Sequence, residues 1–377
     1  MAKIVIDARE SGTSTGRYVD NLIKYLHILA PKHSIILLAR AERLKFLAEL
    51  APRFVVFETP FKEFTFEEQI GLFKQVNTCE ADLVHFPMVQ QPVFYRGAVV
   101  TTMQDLTTLR FKNPTKNPFV FWTKLQVYKW VNKRAARKSV ALITPTEFVR
   151  QDVAKYTHVS PDKITVTHEA ADTIPGPAEP IPDLAGKQFI MYLGRPTPHK
   201  NLDRLIRAFE LLQRDRPELV LALAGKKDAM YELVEQKART RNPELNNVYF
   251  TGFVSDAQLK WMYKNCRAYC FPSLSEGFGL PGLEAQQHGA PVVCSNATCL
   301  PEVYGDSVHY FDPLDIEDMA AKIGEVVDDP ILREDLIERG SKNAASYSWR
   351  HMAEQTLAVY EAALADQHDR PKSARKK

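Results

Sequence analysis

Short apolar runs punctuate the chain from end to end, each followed by a longer stretch with helical periodicity. In the first half they are KIVID (3–7), SIILLA (34–39), RFVVF (53–57), DLVHF (82–86), AVVTT (98–102), VALIT (140–144) and KITVTH (163–168). The second half repeats the scheme with FIMYLG (189–194), LVLALAG (219–225), NVYFTG (247–252), AYCFP (268–272), PVVCS (291–295) and VHYF (308–311). Continuous Val/Ile/Leu runs of this length fit strands buried on both faces of a parallel sheet. Their alternation with helices predicts two doubly wound, Rossmann-like α/β domains. Between them, 171–187 carries Pro175, Pro177, Pro180 and Pro182 and two glycines, which suits neither a helix nor a central strand and marks a linker. The expected layout is an N-terminal domain (1–170), the linker, a C-terminal domain (188–345), a final helix (346–365) free to return to the first domain, and a basic tail (366–377).

Composition narrows the function. At 377 residues, with 45% hydrophobic and 25% charged positions, the chain has the make-up of a two-domain globular protein. A net charge of +3 argues against a nucleic-acid footprint. Five cysteines without a C-x-x-C pair suggest neither a disulfide framework nor a zinc site, and Cys270 and Cys294 lie in core-like runs. The opening MAKIVIDARE lacks a signal-peptide layout, and no apolar stretch approaches the ~18–20 residues of a membrane span. A cytoplasmic protein is expected, one that could still lie against the inner face of a membrane.

The chemistry concentrates in FPSLSEGFGLPGLEAQQHGAPVVCS (271–295). A strand ends at Pro272, a glycine-bearing loop follows, Pro281 suits the first turn of a helix, and Gly289 suits its end. Ligands of such sheets bind at the carboxyl ends of strands, against helix N-termini. Glu276 in the loop and Glu284 on the first helical turn can address one crevice, with the backbone N–H groups of Gly277, Phe278 and Gly279 between them. Carboxylates suit sugar and ribose hydroxyls, since each accepts several hydrogen bonds. Upstream, LGRPTPHKNLDRLIRAFELL (193–212) places Arg195 and Lys200 on a short loop before an amphipathic helix. Two cations at a strand end suit a diphosphate. Near the start, Gly12–Gly16 opens a helix after the first strand, without the G-x-G-x-x-G that a dinucleotide site requires.

Together these stretches resemble the retaining glycosyltransferases of the GT-B fold, family four (glycosyl transferases group one), and among them bacterial mannosyl- and glucosyltransferases. Glu276 to Glu284 matches the family's E-x7-E signature within PSLSEGFGLPGLEA, and Arg195 and Lys200 match its G-R…K-N motif in the same order. The resemblance covers most of 3–360, tightly in 190–305. It implies two Rossmann-like domains facing across a cleft, with the donor site in the second. Arg195, Lys200 and Glu276 would be catalytic, the cations on the donor diphosphate and Glu276 on the transferred sugar. Gly277, Phe278, Gly279 and Leu280 would line the donor site, Glu284 would hold the ribose, and Gly225 and Val254 would border the base. Gly16 resembles the family's G-x-G-R-Y loop. Two departures stand out. Gln104 replaces the family's histidine in His-Asp-Leu, so it can position a sugar but cannot titrate. Glu169-Ala170 replaces the usual asparagine–glycine. The implied reaction takes a hexose from a nucleotide-diphosphate sugar, GDP-mannose before UDP-hexose, to a glycan or lipid-linked acceptor, with no cofactor and no metal. Alternatives are a non-catalytic nucleotide-sugar-binding scaffold, or an epimerase or phosphorylase of the same fold.

One segment lies outside that scheme. Residues 111–138 carry eight Lys/Arg, six aromatics and no acid. In helical phase Lys129, Lys133 and Arg137 form a basic stripe. Such a stripe suits an anionic membrane surface, the acceptor cleft or plain solvent.

Overall fold

A computed structural model of the chain describes residues 1–13, 16–112, 117–245 and 247–369. They form two compact units. Unit 1 comprises Met1–Leu106, Trp122–Glu169 and the C-terminal segment from Ser348; unit 2 comprises Thr107–Phe121 and Ala170–Tyr347.

Unit 1 is built on seven parallel strands: β1 (Lys3–Asp7), β2 (Ser34–Ala39), β3 (Val55–Glu58), β4 (Leu83–Phe86), β5 (Val99–Thr102), β6 (Ala141–Thr144) and β7 (Ile164–Val166). They lie in the order β3-β2-β1-β4-β5-β6-β7. The apolar runs dictate this, since central strands such as β1 and β4 are buried along nearly their whole length. The helix Trp349–Asp369 packs on the first helix, Gly16–Leu29, and on the sheet. A buried chain of hydrogen bonds fixes it there: Tyr360 Oη lies 2.6 Å from His85 Nδ1, His85 Nε2 2.9 Å from Thr102 Oγ1, and Thr102 Oγ1 3.0 Å from Tyr18 Oη. Burial holds the His85 imidazole at about 3, so it stays neutral.

Unit 2 is built on six parallel strands: β8 (Phe189–Leu193), β9 (Val220–Ala224), β10 (Val248–Gly252), β11 (Ala268–Phe271), β12 (Val292–Ser295) and β13 (His309–Phe311). Their order is β10-β9-β8-β11-β12-β13, so the direction of winding reverses between β8 and β11. The helix Leu202–Leu212 buries Leu202, Leu205, Ile206, Phe209 and Leu212, the stripe expected from its periodicity.

Two boundaries differ from expectation. The proline-rich stretch groups with unit 2 and is pinned to it: Ile174 N–H donates to His288 Nε2 (3.0 Å), Lys260 Nζ donates to the Ile174 and Gly176 carbonyls, and Leu184 is fully buried. Thr107–Phe121, expected within the first domain, also belongs to unit 2. Of the expected basic tail, 370–377 lies outside the described residues. All five cysteines are free thiols, four of them buried. No helix among the described residues is long and apolar enough to cross a membrane.

Candidate active site

In unit 2 the expected catalytic residues gather where winding reverses, at the carboxyl ends of β8 and β11. This is where an open parallel sheet leaves room for a ligand. The loop after β8 turns through a 3-10 segment, Pro198–Lys200, and Asn201 adopts a left-handed conformation (φ 59°) before the helix Leu202–Leu212. The loop after β11 runs from Pro272 to Gly279. The Leu274 N–H donates to the His199 carbonyl (2.7 Å), which ties the two loops together.

Their central feature is an ion pair. Lys200 Nζ lies 2.6 Å from Glu276 Oε1, with the side chains 19% and 11% exposed. The sequence assigned these residues to different parts of a ligand; in the structure each is the other's counter-ion. The Glu276 backbone is held as well, its N–H donating to Thr298 Oγ1 (3.1 Å) and its carbonyl accepting from Cys299 Sγ. Beneath the pair lies Tyr192, buried, its phenol pushed well above its usual value by desolvation and by the Glu276 charge. Arg195 is tethered separately, Nε 2.6 Å from Asp228 Oδ2. Asp228 also caps the helix Ala229–Arg241, accepting from the Met230 and Tyr231 N–H groups. Against the cost of burial, the Tyr231 N–H and the Arg195 guanidinium hold the Asp228 carboxyl below its usual value. His199, beside Lys200, is lowered to about 4 by burial and then by the lysine charge, so it is a neutral ring at pH 7.

The glycine loop is shaped by its neighbours. Gly279 has φ +104°, a conformation suited to glycine, and its carbonyl accepts from Tyr304 Oη. The Phe278 side chain points inward, edge-on to Tyr347 at 5.4 Å, and Gly277 is buried beside it. The helix starts at Leu280, one residue before Pro281, so Glu284 is its fifth residue and opens the second turn rather than the first. Glu284 is buried. Gly225 follows β9 so closely against β8 that a Cβ would collide with the Gly194 carbonyl oxygen. The Gly194 N–H donates to Ala224 and that of Gly225 to Gly252, so three adjacent strand ends are glycine backbone. Val254 follows β10, half-buried beside the exposed Phe253.

Two expected residues belong to unit 1. Gly16 begins the first helix, where a Cβ would collide with the Glu10 carbonyl oxygen. Its N–H is engaged with Thr13 (3.1 Å) rather than open to an anion. Ser14 and Thr15 of the same loop lie outside the described residues. Gln104 stands after β5 with its Nε2 buried. Close to it is Glu169, so the two departures from the family pattern meet in space. Burial raises the Glu169 carboxyl to about 7, opposed by Arg17 and the Gln104 amide and reinforced by Asp105. The sequence flagged Glu169 without giving it a role.

Three supporting residues went unseen in the sequence. Asp228 was legible only as a helix cap, and Thr298 and Tyr192 carried no signal of their own. The segment after Gln104 was missed too: Thr107 Oγ1 lies 2.9 Å from Ser275 Oγ and the Phe111 ring 5.8 Å from His199, beside both loops. Among the described residues no group of three or more His, Cys, Asp or Glu is placed to hold a metal ion.

Comparison with known proteins bears on this geometry. Residues 180–343 match the family described as Glycosyl transferases group 1, and 15–174 match Glycosyltransferase Family 4. The chain belongs to the group 1 glycosyltransferases. Among curated group 1 relatives, O-antigen chain mannosyltransferase B of Escherichia coli is 35% identical over 232 residues, which span 58% of this chain and 60% of that protein. Two solved structures share the GT-B fold over nearly the whole chain. Sucrose-phosphate synthase of Thermosynechococcus elongatus superposes with a TM-score of 0.74 at 16% identity, covering 97% of this chain and all of the other. Anabaena HepE, in complex with UDP and glucose, gives 0.71 at 20%, covering 96% and 100%. This group 1 chain therefore has the α/β GT-B fold.

Proposed function

We propose that the chain is a retaining, metal-independent hexosyltransferase that moves a hexose from a nucleotide-diphosphate donor, GDP-mannose before UDP-hexose, to a glycan or lipid-linked acceptor. The observation that carries this is the Lys200–Glu276 pair at the switch point of unit 2, with Arg195 on the same strand end. The mannosyl assignment draws on the name of the Escherichia coli relative.

In the mechanism, the diphosphate draws Lys200 away from Glu276 and takes Arg195 as its second cation. Glu276, released, accepts hydrogen bonds from the sugar hydroxyls, and Glu284 accepts those of the ribose. As the glycosidic bond breaks, negative charge gathers on the leaving diphosphate. The two cations stabilise it, one such preorganised donor being worth ~3–4 kcal/mol of barrier. The acceptor hydroxyl attacks from the face the nucleotide leaves, its proton passing to a donor phosphate oxygen. The anomeric configuration is thereby kept without a protein nucleophile.

The test is nucleotide release from GDP-mannose and UDP-glucose, with and without acceptor, followed by the anomeric configuration of the product. Nucleotide released only with acceptor, product anomer equal to donor anomer, and turnover unchanged by EDTA are expected. Inverted product, or activity lost with EDTA and restored by Mn²⁺, overturns the mechanism. Tight nucleotide-sugar binding with no transfer to any acceptor favours the scaffold.

A further inference from the structure

The helix Pro118–Lys138 turns apolar side chains outward. Trp122, Val127 and Trp130 are 58%, 60% and 50% exposed, while Asn132, Ala135 and Ala136 face the interior. Two other segments of unit 1 pack aromatic rings against this helix. The Phe94 ring centroid lies 6.3 Å from that of Trp130, and Phe64 lies 6.0 Å from Tyr128. Phe66, 88% exposed, and Ile70 extend the Phe64 side. Single exposed apolar residues need no explanation, but Trp122, Val127 and Trp130 exposed along one helix, with the exposed Phe94 ring against Trp130, form a patch, and such patches mark interaction surfaces.

Charge indicates what covers it. The helix Pro118–Lys138 carries six Lys/Arg and no acid. Exposed Lys62 and Arg96 stand two residues from Phe64 and Phe94, and Lys124 and Arg134 are exposed on the helix itself. The acids nearest in sequence are mostly spoken for: Glu63 pairs with Arg40 and Glu68 with Arg9, leaving Glu67 exposed. Of the basic stripe expected from the sequence, Arg137 is exposed, Lys129 and Lys133 are half-buried, and two members also make contacts within the unit. The Lys133 ammonium sits over the Tyr156 ring (5.0 Å), and Arg137 Nε donates to the Thr157 carbonyl (3.1 Å). Tryptophan-centred apolar surface with a cationic rim fits the headgroup region of an anionic bilayer, where tryptophan and tyrosine settle and each nearby cation contributes ~1 kcal/mol.

We propose that unit 1 docks on an anionic membrane surface through this patch, with Trp122, Val127, Trp130, Phe94 and Phe66 among the headgroups and the surrounding Lys and Arg at the phosphates. Docking does not depend on the donor chemistry, and its failure leaves the transferase reading untouched.

The test is co-sedimentation of the full chain with vesicles of phosphatidylcholine alone or mixed equally with phosphatidylglycerol, in low and high salt, with tryptophan emission recorded in parallel. The wild type is expected to pellet with the anionic vesicles in low salt and to shift its emission to shorter wavelength. Trp122→Ser/Trp130→Ser/Phe94→Ser should lower vesicle affinity at least about tenfold. Trp130→Ser alone serves if the triple variant does not fold. Three results overturn docking: wild type left in the supernatant, binding unaffected by the aromatic substitutions, or a wild-type dimer in light scattering that these substitutions dissociate without any vesicle binding.

Discussion

At the scale of single residues, the Lys200–Glu276 pair makes stability and chemistry separable. Lys200→Met leaves a nearly buried carboxylate without its counter-ion and should lower stability by about 1–3 kcal/mol. Adding Glu276→Gln removes the stranded charge. The double variant should therefore recover most of its urea midpoint while transfer stays lost. A double variant as unstable as the single would show that the stranded charge is not what destabilises the Lys200→Met chain. Glu169 gives a pH signature. Its carboxyl is raised from 4.5 to about 7 by burial, so the folded chain holds a proton that the unfolded chain has already released. Stability from this group therefore falls as pH rises from about 4.5 to 7 and is flat above. Glu169→Gln should raise the melting temperature more at pH 8 than at pH 5, and an equal shift at both would refute the assignment. The sequence placed Glu276, Glu284, Arg195 and Lys200 because a motif of fixed spacing carries them. It missed Asp228, Thr298 and Tyr192 because a partner on another loop or strand leaves no trace in spacing.

At the scale of elements, every apolar run became a strand, since parallel strands buried on both faces must be apolar throughout. The fit is loose at β3, expected over 53–57 and found at Val55–Glu58. It is an edge strand whose Val55 and Phe57 are exposed, so burial does not enforce its limits. The segment Thr107–Phe121 was illegible for another reason: a four-residue helix, Thr107–Arg110, has no period to read. The glycines that end β8, β9 and β10 tie elements to the site. Gly225→Ala would press a methyl group onto the Gly194 carbonyl, and backbone can yield only by parting the two strand ends. The expected loss is about 1–3 kcal/mol of stability together with weaker nucleotide binding by calorimetry. An alanine variant that melts and binds like the wild type would show those ends free to move.

At the scale of the whole molecule, unit 1 is discontinuous in sequence, and the hydrogen bond from His85 to Tyr360 joins residues 275 positions apart. That has a consequence in time. A ribosome adding roughly 5–20 residues per second still has Ala170–Tyr347 of unit 2 to make after Glu169, so the cover of the first sheet reaches it roughly 10–35 s later. Until then the surfaces that Met352, Ala353 and Tyr360 will seal stand open to water and to other chains. The second unit, although synthesised later, waits for nothing further and completes itself first. A chain ended at Tyr347 should therefore resist limited proteolysis over 188–345 while the unit 1 segments 1–106 and 122–169 are digested, the full chain resisting in both. Equal survival of the two halves would mean that the last helix is dispensable. If it is not, the first segments of unit 1 are finished only by the helix Trp349–Asp369, and the nascent chain needs a chaperone until that helix is made.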